Sequence, residues 1–414
     1  MASTINADNG AASGNAGLKY ASDGTGVLAL QTNGTTAVTV DASQNVMVGS
    51  TGKGPTADGS IASINSFGYK NRLINGALDI WQRGTSFSNL NGSYGPDRWV
   101  ARYNDCGGNY TRTTLSDLTG FTYSNQIVKS GTTFGSAFLQ QSIETANTKD
   151  LLGKRVTFSA WAKKTNTTTQ ASHDVQIGIG LFTTTDSSVW ANSADIAYVY
   201  ARWTSSGLFS AADPQIQQGA SYSSVGTPTA GTVLGTNVFT TTWERYYITL
   251  TIPVTTKTIT CQIGSESMVQ NGGIEFTGMQ LELGGQATPY EYRPISNELA
   301  LCQRYYEKSY DIGTAPGTAT STGNIDFYGS SDATSNVVVT VPYKVTKRII
   351  PATITFYNTS GAVSTWSYRR NGASGTGTAS SIATGQNTLC LFVPVGAAWI
   401  VCEIYGHYTV DAEL

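Results

Sequence analysis

Short runs of alternating apolar and polar residues recur along the chain, separated by clusters of Gly, Pro, Asn, Asp and Ser. A period of two marks strands with one face in a core, because successive side chains leave opposite faces of the pleat. Residues 156–162 (Val-Thr-Phe-Ser-Ala-Trp-Ala) alternate in this way. Residues 243–252 do so in their second half, with Ile248, Leu250 and Ile252 on one face. Over 274–283, Met279, Leu281 and Leu283 fall together, and Gln280 and Glu282 fall opposite. Strands are expected again at 336–341, 352–357, 389–393 and 399–410. In the last, Ile400, Cys402, Ile404 and Tyr408 oppose Val401, Glu403, Tyr405 and His407.

Two regions depart from that pattern. After Pro294, the apolar residues Ile295, Leu299, Cys302 and Tyr306 recur at helical spacing. Ser296 is placed to cap such a helix, Glu298 lies in its first turn and Lys308 near its end. The first 66 residues hold only thin apolar pieces (27–30, 37–40, 46–48) around the hairpin signals Asp23-Gly24 and Asn33-Gly34. Units so thin gain stability by stacking on neighbours or on identical chains, so a fibrous stalk is expected there, with a flexible leader as the alternative. The predicted organisation is therefore mainly β: a fibrous N-terminal β segment (1–66), a central jelly-roll sandwich (67–293), one short connecting helix (294–310) and a C-terminal β-sandwich (311–414).

Composition narrows the function. The 414-residue chain has 45 Gly, only 13% charged residues and a net charge of −2. With no basic stripe to neutralise phosphates, nucleic acid is not an expected partner. No apolar run reaches the length of a bilayer span, and the first residues lack the charged and apolar regions of a signal peptide, so neither membrane insertion nor export is expected. Five cysteines (Cys106, Cys261, Cys302, Cys390 and Cys402) without a CxxC spacing, and two distant histidines, His173 and His407, predict buried free thiols and no metal site. No cofactor is expected.

Three stretches carry a resemblance. Residues 70–84 (Lys-Asn-Arg-Leu-Ile-Asn-Gly-Ala-Leu-Asp-Ile-Trp-Gln-Arg-Gly), followed by Tyr94-Gly95-Pro96-Asp97-Arg98-Trp99, resemble the opening of a domain common in phage and prophage tail proteins. Residues 278–284 (Gly-Met-Gln-Leu-Glu-Leu-Gly) through 287–294 (Ala-Thr-Pro-Tyr-Glu-Tyr-Arg-Pro) resemble its end, and 298–306 is similar to the helix that follows it there. The central region also resembles jelly-roll carbohydrate-binding modules, through Phe158–Lys163 and Thr242–Tyr246, and the terminal 410–414 fits the same group. The resemblance covers about 67–310 well and the C-terminal domain loosely. It implies a bacteriophage tail fibre or tail-tip subunit: a virion protein assembled in the host cytoplasm as a homotrimer, joined to other phage tail proteins. It further implies host adsorption through a surface glycan, lipopolysaccharide or capsule, and supplies no functional residues.

Sugar binding needs flat aromatic faces beside side chains that bond hydroxyls, and the chain holds 8 Trp and 22 Tyr. Trp161 and Trp243 read as core, and Trp81 and Trp99, beside Arg83 and Arg98, as structural. Trp190, among Asp186, Ser187, Ser188, Asn192 and Asp195, is a candidate platform; so is Trp203, which follows Tyr198, Tyr200 and Arg202. The expected glycan-binding set is Trp190, Trp203, Tyr200, Arg202 and Asp186. Gln280 and Glu282 share a face and would suit either loop bracing or a structural calcium. No catalytic residues are expected. Asp186 with Asp195, or Asp326 with Asp332, are candidate carboxylate pairs for glycoside hydrolysis. Gly372-Ala373-Ser374-Gly375 lacks the full nucleophile-elbow spacing. A non-catalytic glycan binder is the expected function; a purely structural tail spacer or capping protein, and a polysaccharide depolymerase, are the alternatives.

Overall fold

The computed structural model describes residues 70–413 except 105–106, 132–134, 166–173, 186–195, 209–214, 218–227, 234–237, 330–334, 371 and 397–400, together with three strands nearer the N-terminus. Two compact units divide the chain, Met1–Tyr69 and Lys70–Leu414. In the first, β1 (Leu28–Thr32), β2 (Thr35–Val40) and β3 (Val46–Val48) form an antiparallel sheet in that order. These strands coincide with the thin apolar pieces, and Leu30 pairs with Val38 across the β1–β2 hairpin.

In the second unit the chain first forms β4 (Ser86–Ser88), β5 (Val100–Asn104), β6 (Gly108–Thr114), β7 (Tyr123–Lys129), β8 (Gly135–Ile143) and β9 (Arg155–Lys164). It continues through β10 (Val175–Phe182), β11 (Ile196–Thr204), β12 (Gly207–Leu208), β13 (Gln215–Gln217), β14 (Thr229–Thr232), β15 (Glu244–Thr251), β16 (Thr258–Met268) and β17 (Gly273–Leu283). These make a mainly antiparallel sandwich of jelly-roll type. The front sheet has the order β12-β11-β10-β16-β8-β5, with β13 also on β11; the back sheet runs β14-β15-β9-β17-β7-β6-β4. Alternation turns Val175, Ile177, Ile179 and Leu181 inward from the front, and Val156, Phe158, Ala160 and Ala162 from the back, into one core. In β17 the alternation slips once: a bulge between Thr277 and Gln280, with Gly278 at φ +64°, puts Ile274 and Phe276 on the same inward face as Met279 and Leu281.

Trp161 and Trp243, expected in the core, are half-buried on the outer side of the back sheet. The parity of β9 requires this for Trp161, because Ala160 and Ala162 point inward. Trp243 lies just before β15, and its indole donates to Asp117 (3.0 Å) with the Lys163 ammonium 4.8 Å above its ring.

The helix α1 is shorter than its apolar stripe implies. It spans Ile295–Gln303, Pro294 is its N-cap, and no side chain caps it, so Ser296 lies inside it. Ile295 is exposed, whereas Glu298 and Cys302 are buried. Residues Tyr306–Lys308 form β18, because β26 (Cys402–Asp411) offers them a strand partner, and the helix therefore stops before Tyr306. No helix among the described residues is long and apolar enough to cross a membrane.

Beyond α1 come β19 (Ile325–Gly329), β20 (Asn336–Pro342), β21 (Thr353–Tyr357), β22 (Thr365–Arg370), β23 (Ala373–Thr378), β24 (Ser380–Thr384) and β25 (Thr388–Pro394), before β26. The long β26 carries β18, β19, β21 and β22, and β23 extends the sheet from β22; β20-β25-β24 forms a separate three-stranded sheet. Their shared core includes Val337, Trp366, Leu391, Cys402, Ile404 and Tyr408. Cys261, Cys302 and Cys402 are buried free thiols as expected; Cys390 is free but only partly buried, because it points outward from β25. Cys106 lies outside the described residues.

Candidate functional site

The residues of the opening and closing motifs fasten the fold. Asn71 donates to Met279 O (2.9 Å) and accepts from Leu281 N (3.1 Å), while its own N–H donates to the Glu291 carboxylate (2.7 Å). Gly76 passes so close to β17 that a Cβ there would lie 2.1 Å from Met279 O. Glu282 accepts from Thr288 N (2.9 Å) and from the Thr288 hydroxyl, and Gln280 accepts from Glu291 N (2.8 Å). Gln280 and Glu282 therefore brace the strap of residues 284–293 across the outer face of the back sheet. Arg83 reaches Asp411 and Glu413 (both 3.2 Å), Arg98 pairs with Glu413, and Arg304 reaches Glu144 (3.2 Å). Trp81 and Trp99 are buried among them.

The outer face of the front sheet is different. Strand register lays out a row Val100–Gln140–Gln262–Gly178–Tyr200 and beside it a row Arg102–Phe138–Gly264–Gln176–Arg202. Tyr198 lies over the gap left by Gly178, where a Cβ would meet its ring at 2.4 Å. Its hydroxyl accepts from Gln176 Nε2 (2.5 Å) and Gln262 Nε2 (3.1 Å), and Gln140 Nε2 donates to Gln262 Oε1 (2.5 Å). The result is a continuous amide ladder over strands β8, β16, β10 and β11. Gln140 Oε1 and Gln176 Oε1 are buried with no hydrogen-bond partner, and so is Arg102 Nε. Such a group costs about 1–3 kcal/mol until it is paired. Tyr198 and Tyr200 stack at 5.0 Å and 24°, with Phe182 beside them. Burial pushes the Tyr198 hydroxyl well above the usual phenol range, so it stays protonated.

At one end of this face Asp174, fully buried, accepts from Arg202 Nε (2.5 Å), the Ser265 hydroxyl (2.6 Å) and Glu266 N (3.1 Å). Burial, and then repulsion from Asp174, raise the Glu266 carboxyl above the ordinary range. The guanidinium of Arg202 is thus held by a carboxylate, and the ladder itself is made of neutral groups.

Of the expected site residues, Tyr200 and Arg202 stand half-buried on this face. Trp203 does not. It is 0% exposed and packs 5.0 Å from Tyr246 inside the sandwich, because odd-numbered residues of β11 from Val199 to Trp203 point inward. Trp190, Asp186, Asp195, Asp332 and His173 lie outside the described residues. Asp326 sits in β19 and accepts from Asn324 (2.8 Å), away from the ladder strands. His407 is buried, stacks on Tyr310 at 3.8 Å and contacts the Ser309 hydroxyl (3.1 Å), a packing role. Sequence reasoning missed Gln140, Gln176 and Gln262, and named Tyr198 only as a neighbour of Trp203. Their signal is in β10, where Val-Gln-Ile-Gly-Ile-Gly alternates branched apolar residues with an amide and two glycines.

No protein-family model matches the chain, and no curated protein matches it. Solved structures give distant likenesses. The enzymatically active domain of bacteriophage CBA120 tailspike protein 4 is 14% identical, over 52% of this chain and 22% of that one, at a TM-score of 0.29. The chain thus spans under a quarter of that solved domain. TmCBM61, solved with β-1,4-galactotriose, is 11% identical over 52% of this chain and 99% of that one, at a TM-score of 0.27. A putative sugar binding protein from Bacteroides thetaiotaomicron is 12% identical over 52% of this chain and 100% of that one, also at 0.27.

Proposed function

We propose that this chain is a bacteriophage tail fibre or tail-tip subunit that holds a neutral, hydroxyl-rich host glycan on the outer face of the front sheet, without cleaving it. The amide ladder carries the reading: two buried glutamine oxygens without donors, next to a stacked tyrosine pair. Each sugar hydroxyl donates one hydrogen bond and accepts others, so two hydroxyls would be needed to pair Gln140 Oε1 and Gln176 Oε1, and either could accept from Arg102 Nε. Tyrosine rings suit the C–H faces of a pyranose. Carboxylated sugars fit less well, since Arg202 is already neutralised by Asp174. The tail assignment is supported by the resemblance at 70–99 and 278–306, whose residues interlock into one fastened frame. As a homotrimer, such a protein would engage several glycans at once, which raises avidity by about two to four orders of magnitude over one weak site.

A glycan array probed with the purified protein tests this, followed by calorimetry on Tyr200→Ala and Gln262→Ala. Each substitution is expected to weaken single-site binding about 10–100-fold, equivalent to roughly 1.4–2.7 kcal/mol, and to leave the fold intact. Retention of no glycan would overturn the reading; so would unchanged affinity in both variants. A spacer without receptor binding is the second reading, favoured by the depth of the ladder: Gln140, Gln176 and Gln262 are at most 3% exposed. Release of reducing sugar from host polysaccharide would instead reveal a depolymerase.

A further inference from the structure

Asp79 stands apart from the fastened residues around it. Asn75, Ile80 and Gln82 are all bonded, whereas Asp79 makes no hydrogen bond or ion pair with any described residue. Its half-buried carboxylate lines a hollow of about 20 Å³, walled also by Ala77, Tyr290, Tyr292, Arg293 and Glu298. A space of that size holds one group as small as a water molecule. Arg293 does not supply the missing charge. It is held by Glu298 (3.1 Å) and Glu291 (3.5 Å), and it donates to Leu73 O (3.0 Å) and Asn71 O. No other charged side chain lines the hollow, so two carboxylates face one guanidinium there. Burial, then repulsion from Glu298, raise Asp79 to about 6, and at neutral pH it still carries an uncompensated charge.

The walls decide which cation fits. Tyr290 and Tyr292 meet edge to face at 5.0 Å, and Phe121 packs on both, at 5.1 and 5.6 Å. Phe121 and Trp161 close together over Gly278, where a Cβ would lie 2.7 Å from one ring and 2.9 Å from the other. A row of rings therefore crosses the outer side of the back sheet and ends at the hollow, with Tyr292 57% exposed. Aromatic faces attract ammonium groups and stack on the C–H faces of pyranoses. Calcium would need about six to eight oxygens, whereas much of this wall is tyrosine ring and alanine methyl. We propose that the hollow takes the primary ammonium of an unacetylated amino sugar, whose ring stacks on the exposed Tyr292. Asp79 is the counter-ion, and the size of the hollow excludes an N-acetyl group. This second site lies on the opposite sheet from the amide ladder, differs from it in chemistry and does not rest on it.

Titration with a fully deacetylated glucosamine trisaccharide, paired with its N-acetylated counterpart, tests the site. The parent protein is expected to bind the deacetylated form about tenfold more tightly at pH 7. Asp79→Asn should abolish that preference, and Tyr292→Ala should weaken binding of the deacetylated form about fivefold. As pH falls from 7 to 5 the amine becomes fully charged while Asp79 takes up its proton, so the preference should shrink in the parent protein. The other titratable groups of the wall are Glu298, paired with Arg293, and the two phenols, which burial keeps protonated. Failure to bind the deacetylated form, or equal binding of both trisaccharides, overturns the proposal. So does a preference that survives Asp79→Asn, or a loss in that variant that is alike for both sugars. If the preference holds while Tyr200→Ala and Gln262→Ala leave binding of neutral glycans unchanged, only the ladder reading falls.

Discussion

The two sheets of the central sandwich turn polar side chains outward on the same alternation and use them in opposite ways. On the back sheet, Gln280 and Glu282 are bonded to the strap that crosses them, through Thr288 and Glu291. On the front sheet, Gln140, Gln176 and Gln262 bond mainly to one another and to Tyr198, and two of their oxygens are left over. A polar row saturated by its own chain is a fastening. On the proposed reading, a polar row with unmet acceptors meets hydroxyls that come from elsewhere. Removing a fastener should therefore cost stability, whereas removing a rung should cost binding.

The largest expected effect is on the fastened side. Glu282→Ala empties a fully buried position and removes the acceptor for Thr288 N, the Thr288 hydroxyl and Gln280 Nε2, which loosens one of the strap's fastenings. A loss of roughly 3 kcal/mol is expected, read as a lower denaturant midpoint with an unchanged slope. The folded fraction should bind glycan with the parent affinity. A stable Glu282→Ala protein with weakened binding would invert the comparison.

Next in size is a half-buried carboxylate beside the strap. Asp79 borders a small hollow lined by Tyr290, Tyr292, Arg293 and Glu298, and burial, then repulsion from Glu298, raise it to about 6. A raised folded value means that the folded state holds the proton longer than the unfolded chain, whose value is 3.8. This part of the stability is therefore present at low pH and declines as pH rises from about 4 to about 6. Asp79→Asn removes the decline. Melts should coincide near pH 4, and the variant should be more stable by about 1–2 kcal/mol at pH 7. An equal difference at both pH values would assign the effect to something other than this proton.

How legible this contrast was depends on what is local. Strand alternation was readable along β15, where Ile248 and Leu250 share the inward face with Ile252 just beyond it. In β9 it has to be applied residue by residue, since Trp161 stands outward between the inward Ala160 and Ala162. Applied strictly to β11, it separates Trp203 from Tyr200 and Arg202, since the three cannot share a face; clustering by residue type obscured that. The ladder was not readable in the same way. Gln140 and Gln262 are adjacent only because β8 pairs with β16, a neighbour relation set by the whole topology. The helix end failed for a similar reason, because the strand partner that takes Tyr306–Lys308 lies about a hundred residues further on.

The smallest expected change in stability is the most informative about the front face. Gln176→Leu removes an amide oxygen that is buried without a donor and also removes one donor to the Tyr198 hydroxyl. That hydroxyl still accepts from Gln262, so the lost bond is worth about 1 kcal/mol at most, while the discarded oxygen costs about 1–3 kcal/mol where it sits. Leucine nearly matches the volume beside Phe138 and Tyr198, and the balance favours a gain of roughly 0.5–1 kcal/mol. Glycan affinity should fall about tenfold, since the hydroxyl that would have met Gln176 Oε1 now faces a methyl group. Stability and binding moving in opposite directions is the behaviour of a group retained for a ligand. If Gln176→Leu instead lost 2 kcal/mol or more, its oxygen would have a partner in solution, and the front face would be as fastened as the back.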